Sequence, residues 1–411
     1  MAKIHPFKAV RPTRDKAQLV STRPLAAYRK HILRAKLDEN PYTFLHIIHP
    51  EGDKEHHSRA YSNERFEAVR DRFEDFVKEG ILIQDEVPGF YIYRQTKAGH
   101  VFTGVIAGAS IDEYDQDLIK KHEATITSRE TMFTNYLRIT GFNAEPVLLA
   151  HAHSEDLDQL LQTITQNRPE YEFSTTDKIK HELWLVQGRN VANMQSLFND
   201  VGALYIADGH HRSASSARLK DLFLKEEAKH YRNHDFFLAY LIDEQKLEIV
   251  EFNRLVKHLN GHSVDSFLKL LEKSFDVEPL KKLRQPATEH EIICLIKKKA
   301  FSLKVKAHVL QTKDVVNNLD AQILTDHILT PVLGISDLKT SKDIEFVPGT
   351  KGLKYIQEQV KKDGFEVAFI LYPVSMSEVK AVADEGRIMP PKSTWVEPKM
   401  RSGLTIYKIN E

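Results

Sequence analysis

The chain has 411 residues, 58 of them lysine or arginine and 58 aspartate or glutamate, and 41% of its residues are apolar. This length predicts two or three domains, and the apolar fraction is large enough for buried cores. A net charge of zero argues against a dedicated nucleic-acid-binding protein, which needs an excess of cations to neutralise phosphates. No run of about 18 apolar residues occurs, so no membrane partner is expected.

The cysteine content and the first residues bear on the cellular compartment and its redox state. Cys294 is the single cysteine, so no disulfide can form within the chain, and the first residues lack the apolar core of a secretion signal. We therefore expect a reduced, cytoplasmic environment. The sequence carries no signal for an oligomeric state.

Several common sites are excluded by their motifs. Neither GxxxxGK[ST] nor GxGxxG occurs, so a Walker A loop and a dinucleotide fingerprint are absent. His122-Glu123 and His181-Glu182 begin like zinc-protease helices, but both lack the second histidine four residues after the first. His151 and His153 follow a strand-like segment; with no third ligand near them in sequence, we interpret them as structural.

The first quarter of the chain predicts helices followed by a small sheet. Prolines punctuate the first 50 residues, where we predict a helix around 25–36 and a strand over 44–48. His56-His57 lies in a charged stretch that we interpret as a solvated loop. Apolar residues at helical spacing predict a helix over 63–78. An antiparallel meander is predicted for the strands that follow, over 81–84, 89–95 and 100–107.

Strands and helices alternate in the rest of the chain. A long charged segment is predicted to be helical from His122 onwards, and residues 145–150 read as a strand. Strand pairs are predicted for 236–242 with 247–252, and for 291–296 with 304–309. Helices are predicted over 157–165, 213–225, 263–275, 319–329, 352–361 and 377–384. The expected fold class is therefore α+β, with mixed sheets and helices packed on them.

The strongest local pattern runs through Asp208, Gly209, His210, His211 and Arg212, where an apolar strand enters a helix. A helix start has unpaired N–H groups and about half a positive charge, which favours anions. Gly209 allows close backbone approach, and Arg212 adds a planar fork that can grip phosphate. Asp208 is placed to ligate Mg²⁺ or orient a hydroxyl. Alternatively, Asp208 caps the helix and the histidines make local hydrogen bonds.

Two charged segments are interpreted as surface features when each is taken alone. Lys120-Lys121 could neutralise a polyanion and Glu123 could accept a proton, but an exposed, charged helix start explains them as well. Arg254 follows a strand, and we interpret it as part of a surface salt bridge.

A third segment near the C-terminus presents hydrogen-bond donors on a rigid backbone. Two prolines precede Lys392, Ser393 and Thr394, an arrangement that suits an anion or a hydroxylated substrate. The alternative is a proline-rich arm that ties down the sheet.

The longer motifs together resemble the DUF1015 family of uncharacterised bacterial proteins, over nearly the whole chain. Members commonly carry a Pro-Pro-Tyr-Asp-Val-like run near the N-terminus, whereas residues 22–28 here read TRPLAAY, so any role of that aspartate is in doubt. The resemblance rests on NPYTFLHIIHPE, YIYRQ, IKKHEAT, HELW, LYIADGHHRSASSAR and MPPKSTWVEPK.

The order of three motifs is also similar to that in the free-serine kinases of the ParB/sulfiredoxin superfamily. In those proteins a His-Glu pair opens a helix upstream of a strand–DGHHR–helix unit, and a Pro-Lys-Ser/Thr-Thr segment closes the chain. The resemblance implies a ParB/sulfiredoxin-like core in which Glu123 is the catalytic base. It further implies that residues 209–212 bind nucleotide phosphates and that residues 392–394 contact the substrate.

The implied activity is a Mg²⁺-dependent phosphotransferase that moves a phosphoryl group from ATP or ADP to a small hydroxylated, serine-like metabolite. Asp208 would hold the Mg²⁺, and lysines beside Glu123 would keep that base ionised. The alternative is a nucleotide-binding regulatory switch without transfer. The expected regions are 1–110, α+β; 111–230, the nucleotide-binding core; 231–375, α+β; and 376–411, a tail returning to the core site.

Overall fold

The computed structural model describes residues 3–50, 58–311, 313–361 and 364–411, so His56-His57 lies outside the described residues. The chain divides into two units. The first comprises Met1–Lys121, Thr125–Leu247 and Pro398–Glu411, and the second comprises His122–Ala124 and Glu248–Glu397. Within the described ranges, no helix is both long and apolar enough to span a membrane.

The helices and strands are numbered in chain order. The α-helices are α1 (Ala17–Val20), α2 (Lys30–Glu39), α3 (Leu45–Ile48), α4 (Asn63–Lys78), α5 (Ile111–Asp115), α6 (Thr127–Thr140), α7 (Glu155–Thr165), α8 (Arg189–Asn199), α9 (His210–Lys225), α10 (Val264–Leu271), α11 (Asp320–Leu324), α12 (Gly352–Lys361) and α13 (Met376–Asp384). The strands are β1 (Ile4–His5), β2 (Val10–Pro12), β3 (Leu82–Gln84), β4 (Phe90–Lys97), β5 (His100–Ser110), β6 (Ile119–Lys120), β7 (Phe142–Asn143), β8 (Val147–His151), β9 (Tyr171–Ser174), β10 (Ile179–Val186), β11 (Leu204–Asp208), β12 (Phe236–Asp243), β13 (Glu248–Val256), β14 (Phe275–Leu280), β15 (Glu291–Ile296), β16 (Lys299–Val305), β17 (Ile344–Pro348), β18 (Val367–Ile370), β19 (Thr394–Glu397) and β20 (Tyr407–Lys408).

The first unit is built on a mixed sheet in the order β6-β11-β8-β12-β5-β4-β10-β9, with β1 added beside β5. β8 runs parallel to β12, β6 runs parallel to β11, and the other pairs are antiparallel. Its core joins sheet residues such as Trp184 to Leu161 of α7 and to Met194 and Phe198 of α8. The last strand, β20, pairs with β7 and fixes the C-terminal segment to this unit.

The second unit is built on an antiparallel sheet in the order β14-β16-β15-β18-β13-β17, with β19 pairing to β13. Alternate residues of β15 enter two separate cores: Ile292 and Cys294 face one, and Ile293 and Leu295 face the other. Because successive side chains of a strand point to opposite faces, both faces of this sheet are buried at β15. The run of apolar residues in β15 follows from that burial.

The α+β fold class is confirmed, and so is the helix over 63–78, which is α4. Ser62 caps α4 by accepting a hydrogen bond from the Arg65 N–H. The strand predicted over 44–48 is wrong: residues 45–48 form α3, with Leu45 and Ile47 buried. A short apolar run does not distinguish a buried strand from a buried helical turn, because its hydrophobic period cannot be measured.

Two predicted strand arrangements are also corrected. β4 and β5 form the expected hairpin, but β3 pairs with β2 rather than joining a meander. The predicted pairing of 236–242 with 247–252 is wrong, since β12 pairs with β5 and β8, whereas β13 pairs with β17, β18 and β19. β15 pairs with the strand that follows it, as predicted, but that strand is β16 over Lys299–Val305 and not the predicted 304–309.

Candidate functional site

The segment around Asp208 forms a strand, a turn and the first turn of a helix. β11 is buried along its first four residues, Gly209 follows with a φ of 106°, and α9 begins at His210. The first turn of α9 therefore contains His210, His211 and Arg212, as the sequence indicates, although the helix starts three residues before the predicted 213.

Gly209 is required for two physical reasons. Its φ of 106° lies in the left-handed region that residues with a Cβ rarely adopt. A Cβ at this position would also lie 3.0–3.1 Å from the guanidinium atoms of Arg212. The side chain that approaches the bare glycine is therefore Arg212, which folds back over the turn.

The Asp208 carboxylate lies between two cations. It accepts hydrogen bonds from Arg212 Nη2 at 2.9 Å and from Lys399 Nζ at 3.3 Å. Burial raises the pKa of Asp208, but the charges of Lys399 and Arg212 outweigh that effect and lower its pKa below the ordinary value. The capping alternative is wrong, because Gly209 occupies the N-cap position and no side chain caps the helix.

Arg212 is held by acceptors on more than one element. Nη1 donates to the carbonyls of Glu145 and Pro146, and Nη2 donates to Asp208. A guanidinium carries five N–H donors, so these bonds leave donors over for a ligand, as far as the described part of the chain shows. The orientation of Arg212 is thus set before any ligand binds.

A cavity of about 200 Å³ lies beside Arg212 in the first unit. Its walls are mainly apolar and include the aromatic rings of Phe44, Phe133 and Tyr136, while Arg212 and Ser215 contribute polar groups. Flat aromatic walls next to a fixed cation suit a ligand that has both a planar ring and an anionic group.

The two histidines of the turn differ in their surroundings. His210 is 3% exposed, and its carbonyl accepts a hydrogen bond from the Ser213 hydroxyl at 3.0 Å. His211 Nε2 accepts a hydrogen bond from the Ile126 N–H at 3.1 Å, so the local bonding considered as an alternative is present for this ring. Burial, and then the charge of Arg129, lower the pKa of His211 and favour its neutral form.

The run from Asp208 to Arg212 lies in the part of the chain that matches a family model. The model of the family described as “Protein of unknown function (DUF1015)” matches residues 4–322. The chain belongs to the DUF1015 family. Among curated proteins, no match was found.

Three solved structures are similar to this DUF1015 protein at low identity. A free serine kinase in complex with AMP is 14% identical, with a TM-score of 0.35 over 74% of this chain and 91% of that chain. SbnI with a C-terminal truncation, from Staphylococcus aureus, is 13% identical, with a TM-score of 0.39 over 73% and 85%. A conserved hypothetical protein from Pyrococcus furiosus is 16% identical, with a TM-score of 0.32 over 73% and 95%. Similarity at this level carries no functional argument.

The proline-rich segment of the DUF1015 chain forms a tight turn in the second unit. Lys392 adopts a left-handed φ of 59°, and the buried Ser393 hydroxyl donates to the Pro390 carbonyl at 2.8 Å. Thr394 begins β19 and pairs with Glu251 of β13. The segment therefore belongs to the sheet, as the structural alternative proposed, and it also presents Lys392 from a fixed backbone.

Arg254 supports this turn and is not a surface residue. Its side chain is 1% exposed, and it donates to the carbonyls of Phe252 and Lys392, the latter at 3.2 Å. Burial lowers the pKa of Arg254 to about 9. The surface salt bridge predicted from the sequence is wrong, because no such bridge to Arg254 occurs within the described residues.

Glu123 belongs to the second unit, as do Lys392, Ser393 and Thr394. The helix predicted to open at His122 starts instead at Thr127, so Glu123 lies in a non-helical segment. The His122 carbonyl accepts a hydrogen bond from the Met389 N–H at 2.9 Å. Within this unit, the Glu123 segment is thereby attached to the start of the proline-rich segment.

The His151–His153 segment gains carboxylate neighbours that the sequence does not reveal. Ligand atoms of His153, Asp158 and Asp243 all lie within 4.8 Å of one another, which is a spacing that could hold a metal ion. However, His153 Nδ1 is 2.6 Å from Asp243, and Lys246 contacts Asp158. The hydrogen bond from His153 and the contact with Lys246 already occupy these carboxylates, which supports the structural interpretation.

The contact of Lys399 with Asp208 is the feature of the site that the sequence does not indicate. Lys399 lies 191 residues from Asp208, in the motif MPPKSTWVEPK, where the sequence places it among the cations that suit an anion or a hydroxylated substrate. A cation after a rigid proline-rich run is a weak signal for a site residue. The sequence around Asp208 also does not indicate that Lys399 is the partner of this carboxylate.

Proposed function

We propose that this protein is a phosphotransferase that moves a phosphoryl group from ATP or ADP to the hydroxyl group of a small metabolite, with Mg²⁺ as cofactor. The observation that carries the proposal is the position of Arg212. Its guanidinium is held at the first turn of α9 and lines an aromatic-walled cavity of about 200 Å³. A nucleotide-binding site needs a place for the phosphates and a place for the base. The helix start provides the first, and the aromatic walls of the cavity provide the second.

The phosphate contacts are assigned to Gly209, His210, His211 and Arg212. The macrodipole of a 16-residue helix and the Arg212 charge both favour an anion at this turn. Neutral His211, with its Nε2 already accepting a bond, can donate only from Nδ1. Arg212 would stabilise negative charge that develops on the transferring phosphoryl group.

Asp208 is the residue that would hold Mg²⁺. One ionised carboxylate fits this ion, which commonly uses one or two carboxylates together with phosphate oxygens and water. The lowered pKa of Asp208 keeps that carboxylate ionised at neutral pH. Bound Mg²⁺ would supply neutralisation of phosphate charge.

Glu123 is assigned as the base, and Lys392, Ser393 and Thr394 as contacts for the acceptor. The acceptor oxygen would form a bond to the terminal phosphorus as the bond to the nucleotide oxygen breaks, and the hydroxyl proton would pass to Glu123. The hydrogen bond between the Met389 N–H and the His122 carbonyl supports placing these groups in one site of the second unit.

A second candidate is a nucleotide-binding switch without phosphoryl transfer. The observation that favours it is the contact of Lys399 with Asp208, because an ammonium group already neutralises the carboxylate assigned to Mg²⁺. Such a site would bind a nucleotide and exchange ion pairs without chemistry.

The test is incubation of the purified protein with labelled ATP or ADP, Mg²⁺ and a panel of small hydroxylated metabolites. We expect a labelled phosphorylated product that is lost in Glu123→Gln and in Arg212→Ala but retained in the exposed control Glu86→Gln. Transfer that survives both site variants would refute the assigned roles. Tight nucleotide binding by calorimetry with no product across the panel would favour the switch.

A further inference from the structure

The first unit contains another cavity, of about 180 Å³, which shares no lining residue with the cavity beside Arg212. It is bounded by residues 18–28, by Lys36 of α2 and the residues just after that helix, by the turn after β9 and by Arg401. Most of its lining residues are polar, and they include Ser21, Thr22, Thr43, Thr175 and Thr176.

The charges around this cavity do not balance. Arg401, with 6% of its side chain exposed, is paired with Asp177 at 2.7 Å, so these two charges cancel. Arg23 and Lys36 also line the cavity, and neither forms a salt bridge in the part of the chain that the structure describes. The cavity therefore has two uncompensated positive charges, which favour an anionic ligand.

Donors at the cavity are already oriented. The Thr22 and Tyr28 hydroxyls share a hydrogen bond of 2.6 Å, and the Arg23 N–H donates to the Tyr28 hydroxyl at 3.0 Å. The Arg23 guanidinium lies 4.9 Å from the centre of the Tyr28 ring, a cation–π contact that holds it in place. These contacts within residues 22–28 hold the loop in one conformation before a ligand binds.

One buried hydroxyl at the cavity lacks a hydrogen-bond partner in the part of the chain that the structure describes. Ser21 Oγ is inaccessible to solvent and has no hydrogen-bond partner among the described residues. Leaving a buried donor unpaired destabilises the fold, and most buried polar groups have a hydrogen-bond partner. Because this hydroxyl is closed off from solvent, an acceptor oxygen of a ligand would satisfy it once the Ser21 side chain has rotated towards the cavity.

We propose that this cavity binds a small hydroxylated organic anion, with its charged group against Arg23 and Lys36 and a further oxygen accepting from Ser21. A cavity of about 180 Å³ has room for a small organic molecule, since one of roughly 150 Å³ can hold benzene. The site is distinct from the one proposed for the nucleotide, and its existence does not depend on phosphoryl transfer.

The experiment is equilibrium dialysis of the full chain against labelled D-glycerate, inorganic phosphate and uncharged glycerol at low ionic strength. We expect D-glycerate to bind and glycerol not to bind. Binding of inorganic phosphate without binding of D-glycerate would show a site for inorganic anions and would overturn the proposal. Arg23→Gln and Lys36→Gln should each weaken D-glycerate binding at least tenfold, and Ser21→Ala should weaken it several-fold.

Two control variants make the result specific. Arg29→Gln removes an exposed cation of the same segment that does not line the cavity, and it should leave binding unchanged. Arg212→Ala should also leave it unchanged, whereas loss of binding in that variant would assign the anion to the other site. Failure of D-glycerate to bind, or full binding in Arg23→Gln and Lys36→Gln with unchanged melting curves, would overturn the proposal.

Discussion

At the scale of single residues, the charge state of the site depends on Asp208. Arg212 and Lys399 both contact its carboxylate, and both lower its pKa. The carboxylate therefore competes with any phosphate for these two cations when Mg²⁺ is absent. When Mg²⁺ is present, the same carboxylate is the group that would hold the ion. Asp208 should thus weaken nucleotide binding when Mg²⁺ is absent and strengthen it when Mg²⁺ is present.

The substitution Asp208→Asn should change ADP affinity in opposite directions without and with Mg²⁺. Without Mg²⁺, we expect ADP to bind several-fold more tightly to the variant, because Lys399 and Arg212 are released to the phosphates. With Mg²⁺, we expect binding at least tenfold weaker than in the unmodified protein, because the ion loses its ligand. Calorimetric titrations in EDTA and in excess Mg²⁺ measure both effects.

The matched control for this prediction is Asp200→Asn, at an exposed position after α8 in the same unit. It should leave both titrations unchanged. A variant at Asp208 that shifts ADP affinity in the same direction under both conditions would contradict the proposed role.

At the scale of an element, the start of α9 depends on the conformation of Gly209. The left-handed φ turns the chain from β11 into the helix, and the missing Cβ leaves room for the Arg212 side chain. The orientation of the guanidinium towards Asp208 and the two carbonyls follows from this arrangement. The conformation of Gly209 therefore determines where the positive charge of Arg212 lies in the site.

Gly209→Ala should affect both stability and binding. We expect a loss of about 1–3 kcal/mol in the free energy of unfolding from backbone strain, and a weaker affinity for ADP because the Cβ displaces Arg212. Gly202→Ala is the matched control, since Gly202 has a φ of 85° but open space around its Cβ position. It should lose stability while keeping ADP affinity, as measured by urea unfolding and calorimetry. Equal ADP affinity in both variants would disprove the link to Arg212.

At the scale of the whole molecule, buried histidines make stability depend on pH. Burial is the main cause that lowers the pKa of His5 to about 4, of His122 to about 4 and of His181 to about 3, from the ordinary 6.5. The folded protein therefore binds fewer protons than the unfolded chain between these values and 6.5. The contribution of each neutral ring to stability is complete above pH 6.5 and is lost as the pH falls towards 4.

We expect the free energy of unfolding to be flat above pH 7 and to fall by a few kcal/mol in total between pH 6.5 and 5. Urea unfolding at several pH values measures this slope. His181→Gln should reduce the slope, because it removes one such group, whereas the exposed control His31→Gln should not. A slope that is the same in both variants would show that His181 does not contribute.

The local features of the fold were predictable from the sequence where one short segment contains the whole pattern. α4 has its cap, its apolar period and its length within consecutive residues, and it was predicted correctly. The short segment that forms α3 has too few residues to show a period, and it was misread as a strand. Strand partners such as β13 and β19 are far apart in sequence, so their pairing has no local signal.

The same distinction holds for the candidate site. The run from Asp208 to Arg212 was recognisable because strand, glycine and helix start are contiguous, and their N–H groups and charges act over a few ångströms. The sequence by itself therefore determined the α+β class, the family resemblance and the anion-favouring turn. Only the tertiary structure decided that Lys399 neutralises Asp208, that Arg254 is buried beneath the Lys392 turn, and that Arg23, Lys36 and Ser21 line one cavity. Those outcomes depend on which distant segments come into contact, and charge balance and burial are properties of those contacts and not of the residues alone.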